Sequence, residues 1–221
     1  MTQGALLFDL DGTLLHSDHL HEEVFRVLFS ERSKPFPPGL YMDQIHGRLN
    51  VDVFRDLLPE ETDPEALSRE KEARFRDMLP KHVPPMPGLV ALLDQARAQD
   101  VRMAVVTNAM RLNADAMLAA VGVTEYFDTI VIGEESPNGK PHPDPYRIAM
   151  EVLGARPETS VAFEDSPSGV QSARASGAYT IGVRSSLDAT ALIAAGAHAT
   201  ISDFTDPSLQ AHLQRAIGAA A

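Results

Sequence analysis

The chain has 221 residues, 44% hydrophobic and 23% charged, the composition of a folded protein with a sizeable core and not of a disordered segment. Its 31 acids against 19 Lys and Arg leave a net charge of −12, which works against binding a phosphate backbone or an anionic membrane, so no nucleic-acid or membrane partner is expected. There is no cysteine, which excludes disulfides, thiol catalysis and thiolate metal sites and leaves oxygen or imidazole for any metal.

No run reaches the roughly 18 consecutive apolar residues of a membrane helix. The N-terminal apolar run has no basic region before it and is broken by Asp9 and Asp11, so a signal peptide is not expected and a cytoplasmic location is the default.

The first predicted element is Ala5-Leu6-Leu7-Phe8, an apolar run that suits a strand covered on both faces. It leads straight into Asp9-Leu10-Asp11-Gly12-Thr13. Side chains two apart on a strand point the same way. Two carboxylates meeting at a strand end repel each other and need a cation, a shared proton or solvent. A solvated Asp-Gly turn and a reactive edge both fit this stretch.

Residues 15–85 change character. Leu20, Val24, Val27 and Leu28 recur at helical spacing, as do Val51, Phe54, Leu57 and Leu58. A third helix starts at an Asp63 N-cap with Pro64 behind it and runs to about Leu79; its thin apolar stripe predicts partial exposure. No strand is predicted here. Pro80, Pro84, Pro85 and Pro87 then make a stiff connector.

From residue 88 helix and strand alternate. Leu89, Leu92, Leu93 and Ala96 form a helical stripe, Val101–Thr107 a strand, and Asn108–Val121 a helix stopped by Gly122. A strand over Phe127–Ile132 follows, then a helix opened by Asp144-Pro145, with Tyr146, Ala149, Met150 and Leu153 on one face and Gly154 at its end. The strand Ser160–Glu164, a helix over Pro167–Ser176, the strand Tyr179–Val183, a short helix near 187–195 and the strand Ala199–Ile201 complete the series. This alternation predicts an α/β fold, a doubly wound and mostly parallel sheet with helices on both faces. The sheet core takes 1–14 and 86–221, and 15–85 is an inserted all-helical domain. Ala219-Ala220-Ala221 is expected to fray.

Open α/β sheets bind ligands beyond the C-terminal ends of their strands. The first strand end carries Asp9 and Asp11, the second Thr107-Asn108, a hydroxyl and backbone N–H groups where a helix begins. After the third comes Lys140, set between Gly139 and Pro141, and the fourth ends in Glu164-Asp165, directly before Ser166 as N-cap and Pro167. Taken singly these read as a helix cap, a solvated loop lysine and an acid pair complementing a helix dipole. Taken together they bring carboxylates, a hydroxyl and an ammonium to one edge.

In order and spacing, Asp9-Leu10-Asp11-Gly12-Thr13, Thr107-Asn108, Lys140-Pro141 and Glu164-Asp165 resemble the four motifs of the haloacid-dehalogenase superfamily of phosphotransferases. The resemblance spans essentially the whole chain. It implies a Rossmann-like core, and the helical insertion looks like the small cap of the branch that holds β-phosphoglucomutase and phosphoglycolate phosphatase. It also implies that Asp9 is the nucleophile and Asp11 the general acid and base. Two carboxylates about 4 Å apart repel by roughly 4 kcal/mol at an effective dielectric near 20, so acids gathered in one crevice require a cation. Mg²⁺ suits an oxygen site, with the Asp9 carboxylate, the Asp11 backbone carbonyl, Asp165 and, through water, Glu164 as ligands. Thr107, the Asn108 backbone N–H and Lys140 would hold phosphate oxygens.

The expected activity is hydrolysis of a small phosphorylated metabolite through an aspartyl-phosphate, by a monomer. Candidate substrate contacts are His21, Arg48 in His46-Gly47-Arg48, which resembles the family's specificity loop, and Arg111. Asp11 argues against the dehalogenases, which lack the second acid, and against phosphonate hydrolases, which place a small residue there. A β-phosphoglucomutase-like phosphomutase stays open, although Asn108-Ala109-Met110-Arg111 departs from the stretch with which that mutase grips its substrate. So does a catalytically silent binding module on the same fold.

Overall fold

The structure is a computed structural model and describes residues 4–46 and 48–216. In chain order its elements are β1 (Ala5–Phe8), α1 (Asp18–Glu31), α2 (Asn50–Leu57), α3 (Pro64–Met78), α4 (Leu89–Ala98), β2 (Arg102–Thr107), α5 (Arg111–Val121), β3 (Thr129–Ile132), α6 (Asp144–Leu153), β4 (Ser160–Glu164), α7 (Pro167–Ser176), β5 (Tyr179–Val183), α8 (Ala189–Ala195), β6 (Ala199–Ile201) and α9 (Leu209–Ala216). The fraying expected of Ala219–Ala221 lies outside the described residues. No helix among the described residues is long and apolar enough to cross a membrane.

The chain divides into two compact units, Met1–His16 with Lys81–Ala221, and Ser17–Pro80. The boundaries read from the sequence, at 14/15 and 85/86, therefore move to 16/17 and 80/81. Leu15 belongs with the sheet because its carbonyl accepts the Gly12 N–H at 2.9 Å. The proline connector belongs there too: the Val83 N–H donates to the Ala120 carbonyl at 3.0 Å and the Met86 N–H to the Leu14 carbonyl at 2.8 Å.

The sheet unit carries six strands in the order β3-β2-β1-β4-β5-β6, every neighbouring pair parallel. Strand β1 is buried along its whole length, as a parallel strand covered by helices must be. One face of the sheet packs Ala5, Leu7, Ala104, Val106 and Ala162 against Tyr146, Ala149, Met150 and Leu153 of α6. From the other face Phe8 stacks on Phe163 at 4.9 Å between ring centroids. The chain leaves β1 toward β2 and β3, then returns to its other side for β4. That reversal is the switch point of a doubly wound sheet, and it places the end of β1 between those of β2 and β4.

Three elements differ from expectation. Helix α5 begins at Arg111 and not at Asn108, because residues 107–110 turn instead, with the Ala109 N–H bonded to Thr107 Oγ1 at 2.9 Å. Strand β3 starts at Thr129, since Thr124–Tyr126 is a 3₁₀ turn. The short helix α9 was not anticipated; Leu209 and Leu213 are buried on it.

In the helical unit, α1 buries Val24, Phe25, Leu28 and Phe29, and α2 buries Val53 and Phe54. Asp63 caps α3 by accepting the Ala66 N–H at 2.8 Å. The thin stripe of α3, Leu67 and Phe75, is completed by two charged residues, Lys71 and Glu72, which are buried. They are tolerated inside because they satisfy each other. Lys71 Nζ lies 2.9 Å from Glu72 Oε1, and Asn50 Nδ2 donates to the same oxygen at 2.5 Å.

Candidate active site

The site lies within the sheet unit, where the chain leaves β1. Asp9 follows the last residue of the strand and its N–H still donates to the Phe163 carbonyl at 3.0 Å, so its position is set by the ladder. Gly12 turns the chain with φ +70°, a left-handed conformation that favours glycine. A Cβ there would also stand 2.0 Å from Asp165 Oδ2. Two independent constraints thus demand glycine at 12, one from backbone angle and one from the carboxylate beside it.

Lys140 is the centre of the charge pattern. Its ammonium donates to Asp9 Oδ1, Glu164 Oε1 and the Val106 carbonyl, each at 2.6 Å. An ammonium has three hydrogens, so all are engaged. The side chain is only 3% exposed, and a buried charge of this kind persists only when its partners are close. Asn108 holds the lysine's backbone in turn. Its Oδ1 accepts the Lys140 N–H and its Nδ2 donates to the Lys140 carbonyl, both at 3.1 Å. Gly133 leaves space for this clamp, since a Cβ there would meet Asn108 Oδ1 at 2.1 Å.

Glu164 ends β4 and is completely buried. Besides Lys140, the Tyr146 hydroxyl donates to its Oε1 at 2.6 Å, while Ser166 Oγ is 3.4 Å from Oε2. Ser166 also caps α7, accepting the Gly169 N–H at 3.1 Å. A Cβ on Gly169 would fall 1.9 Å from Glu164 Oε2, so the helix offers the carboxylate a bare backbone wall. Asp165 receives the Ser185 hydroxyl at 3.3 Å.

Burial pushes the Asp9 carboxyl up, to about 8; the Lys140 ammonium opposes this, and the Glu164 and Asp11 carboxylates reinforce it. Burial alone would lower Lys140, but the Asp9 and Glu164 carboxylates outweigh it and hold the ammonium charged. Burial, followed by Glu164, raises the Tyr146 phenol well above its usual range, so it remains a donor.

Oxygens of Asp9, Glu164 and Asp165 lie within 4.8 Å of one another. The donors are hard carboxylate oxygens in a cradle that side chains at Gly12 and Gly169 would fill, and with one ammonium for these acids a divalent cation fits the remaining charge. Mg²⁺ matches this donor set.

The structure therefore brings together Asp9, Glu164, Asp165 and Lys140 directly, with Thr107 and Asn108 at the end of the adjacent strand and Asp11 in the turn. Asn108 is seen acting through its side chain on Lys140, a contact that residue type at a strand end does not reveal. Arg111 is bound bidentately to Glu135, at 3.0 and 2.6 Å, and to the Ile130 carbonyl at 3.2 Å, which commits it to the β3 side. In the helical unit, His21 Nδ1 lies 2.8 Å from Lys71 Nζ and its ring stacks on Phe75 at 4.0 Å. Arg48 bonds to Asp56 and to the Gln44 carbonyl; Gly47 of its loop lies outside the described residues. Sequence reading missed Tyr146 as a polar participant, having placed it in an apolar stripe, and also missed Ser185 and Lys71.

A family model described as haloacid dehalogenase-like hydrolase matches residues 6–183. Over 210 residues the chain is 31% identical to the phosphorylated carbohydrates phosphatase of Thermotoga maritima, covering 89% of this chain and 93% of that protein. It is 33% identical over 190 residues to the fructose-1-phosphate phosphatase YqaB of Escherichia coli, covering 81% and 96% respectively. A solved HAD hydrolase, family IA, variant 3, from Entamoeba histolytica superposes with a TM-score of 0.86 at 25% identity, over 96% of this chain and 99% of that one.

Proposed function

Because the chain belongs to the haloacid dehalogenase-like hydrolases, we propose that this phosphoric-monoester hydrolase cleaves a small phosphorylated metabolite, a sugar phosphate or a molecule of like chemistry, with Mg²⁺ bound and through an aspartyl-phosphate. The observation that carries the reading is the buried ammonium of Lys140 bridging Asp9 and Glu164, beside the clustered oxygens of Asp9, Glu164 and Asp165. Two relatives named as phosphatases of phosphorylated carbohydrates support the substrate class.

Asp9 attacks phosphorus in line with the departing alkoxide, forming the acyl phosphate. Asp11 gives that alkoxide its proton and then takes one from the water that hydrolyses the intermediate. Thr107 Oγ1 already accepts the Ala109 N–H, which leaves its own hydrogen for a phosphate oxygen. Lys140 keeps the Asp9 carboxylate aimed and can exchange one of its three contacts for a phosphate oxygen. The bound cation would be held by Asp9, Asp165, Glu164 and the Asp11 carbonyl and would neutralise the acids and the phosphate together. We assign substrate choice to the helical segment, residues 15–85 by sequence, as the family's cap, with His21 and Arg48 as candidate contacts there and Arg111 in the sheet unit. The proposal also places the enzyme in the cytoplasm as a monomer.

Purified protein with Mg²⁺ should release inorganic phosphate from an aryl phosphate and, in a screen of sugar phosphates, phosphoglycolate and nucleotides, turn over one class fastest. EDTA should abolish the release, and Asp9→Asn should lower it by at least about 100-fold. Near-native release from Asp9→Asn would remove Asp9 as nucleophile. Conversion of β-glucose 1-phosphate in the presence of its bisphosphate, without net phosphate release, would favour the mutase.

A further inference from the structure

We propose that Tyr146 is a positioning residue of this site: its phenol shares Glu164 Oε1 with the Lys140 ammonium and keeps the Glu164 carboxylate grouped with those of Asp9 and Asp165 when Lys140 moves. The inference rests on the Mg²⁺-phosphatase reading for its purpose, and on geometry for its content.

The α6 stripe requires only an apolar ring at 146, for the side chain is wholly buried among Leu7, Ala104, Val106 and Met150. A phenylalanine would serve that packing. The hydroxyl is therefore an added polar group, and a buried hydroxyl is costly unless bonded. Its bond goes to Glu164 Oε1, at 2.6 Å.

Glu164 has three side-chain torsions and its side chain is wholly buried. On one side Gly169 walls it with bare backbone. On the other, Oε1 is held by two donors, Lys140 and Tyr146. These donors differ in kind. Lys140 is shared with Asp9 and Val106, and in the proposed reaction it must give up a contact when a phosphate arrives. Without the phenol, Oε1 would be held by Lys140 alone, with only the longer 3.4 Å contact from Ser166 Oγ on Oε2 to resist its following the lysine. Tyr146 sits on α6, whose apolar stripe packs on the sheet. Its ring lies 5.3 Å from the Lys140 ammonium, but its hydroxyl is bonded to Glu164 and has no part in holding phosphate in the proposed reaction. The phenol thus uncouples the place of Glu164 from the movement of Lys140.

The test is Tyr146→Phe, which removes one oxygen and keeps the ring. Thermal-shift titration with Mg²⁺ alone, without substrate, should show half-saturation raised about 10-fold, the scale seen when groups that orient metal ligands are lost. In steady state kcat should fall and KM change little. The same substitution in a Glu164→Ala background, which has no side-chain acceptor, should add nothing to the Mg²⁺ shift, since the phenol acts only through that carboxylate. Unchanged Mg²⁺ half-saturation in Tyr146→Phe, with only the melting temperature lowered, would overturn the proposal, as would an equal effect in both backgrounds. If Tyr146→Phe does not fold, 3-fluorotyrosine at 146, a stronger donor, should instead tighten Mg²⁺ binding, and no tightening would overturn it. Should the parent protein prove inactive on every phosphate ester while the Mg²⁺ titrations behave as stated, the phosphatase reading fails and the positioning role stands.

Discussion

Lys140 Nζ stands 2.6 Å from Asp9 Oδ1 although the two residues are 131 apart in sequence, and the same nitrogen is 2.6 Å from Glu164 Oε1. One buried cation thereby joins the ends of β1 and β4. Removing one member of a buried charge pair leaves the others uncompensated, which typically costs about 3–5 kcal/mol.

Lys140→Met should accordingly lower the unfolding free energy by about 3–5 kcal/mol, measured by urea denaturation, and lower kcat at least about 100-fold. A stable Lys140→Met protein with parental melting would show that the ammonium does not carry the charge balance of Asp9 and Glu164.

Gly169→Ala makes an unusual sign prediction. Inside a helix alanine is ordinarily better than glycine by roughly 0.5–1 kcal/mol. Here the new methyl would meet Glu164 Oε2 at 1.9 Å, and overpacking typically costs about 1–3 kcal/mol. The variant should melt earlier, not later, and lose most phosphatase activity, because the carboxylate must move. A higher melting temperature with retained turnover would contradict the close approach.

Asn108→Ala removes both bonds to the Lys140 backbone, each worth about 0.5–1.5 kcal/mol. A fall of about 1–3 kcal/mol in stability, with a larger proportional fall in kcat than rise in KM, is expected from denaturation and steady-state kinetics. Asn108→Asp, which keeps the acceptor and loses the donor, should lie between the parent and Asn108→Ala. If all three behave alike, the side-chain clamp has no role.

Glu72 gives the pH dependence of the helical unit. Burial raises this carboxyl, but Lys71, His21 and the bonds from Lys71 and Asn50 outweigh it and hold it below 4.5. A depressed carboxylate contributes stability that is present above its unfolded value and is lost as pH falls through its folded value. Glu72→Gln should therefore destabilise the protein at pH 7, by about 3 kcal/mol since it leaves Lys71 buried without its anion. The gap to the parent should narrow as pH falls below 4.5, read from melting temperatures between pH 7 and pH 3. A constant gap across that range would place the loss in packing.

The strands and their order of use were legible because each is a short apolar run bounded by turn residues, and because acids, hydroxyl and lysine stand at their ends. What was not legible came from groups whose partners lie far off in the chain. Helix α3 read as a thin, half-exposed helix, yet Lys71 and Glu72 are buried on it because His21 and Asn50 come from other helices to meet them. Asn108 read as the first residue of α5, yet its amide is used across the sheet on Lys140, and residues 107–110 stay out of the helix.

By itself the sequence determined the parallel α/β core and the acid pairs Asp9–Asp11 and Glu164–Asp165 with the like-charge repulsion they bring to one sheet edge, since apolar period, turn residues and residue charge are local properties of the chain. Only the tertiary structure decided that Lys140 spends its three hydrogens on Asp9, Glu164 and Val106, that Tyr146 donates to Glu164, and that Gly12 and Gly169 are kept bare by carboxylates. The reason is that a hydrogen bond depends on distance and direction between atoms that the sheet brings together from separate strands, and residue type and spacing carry neither.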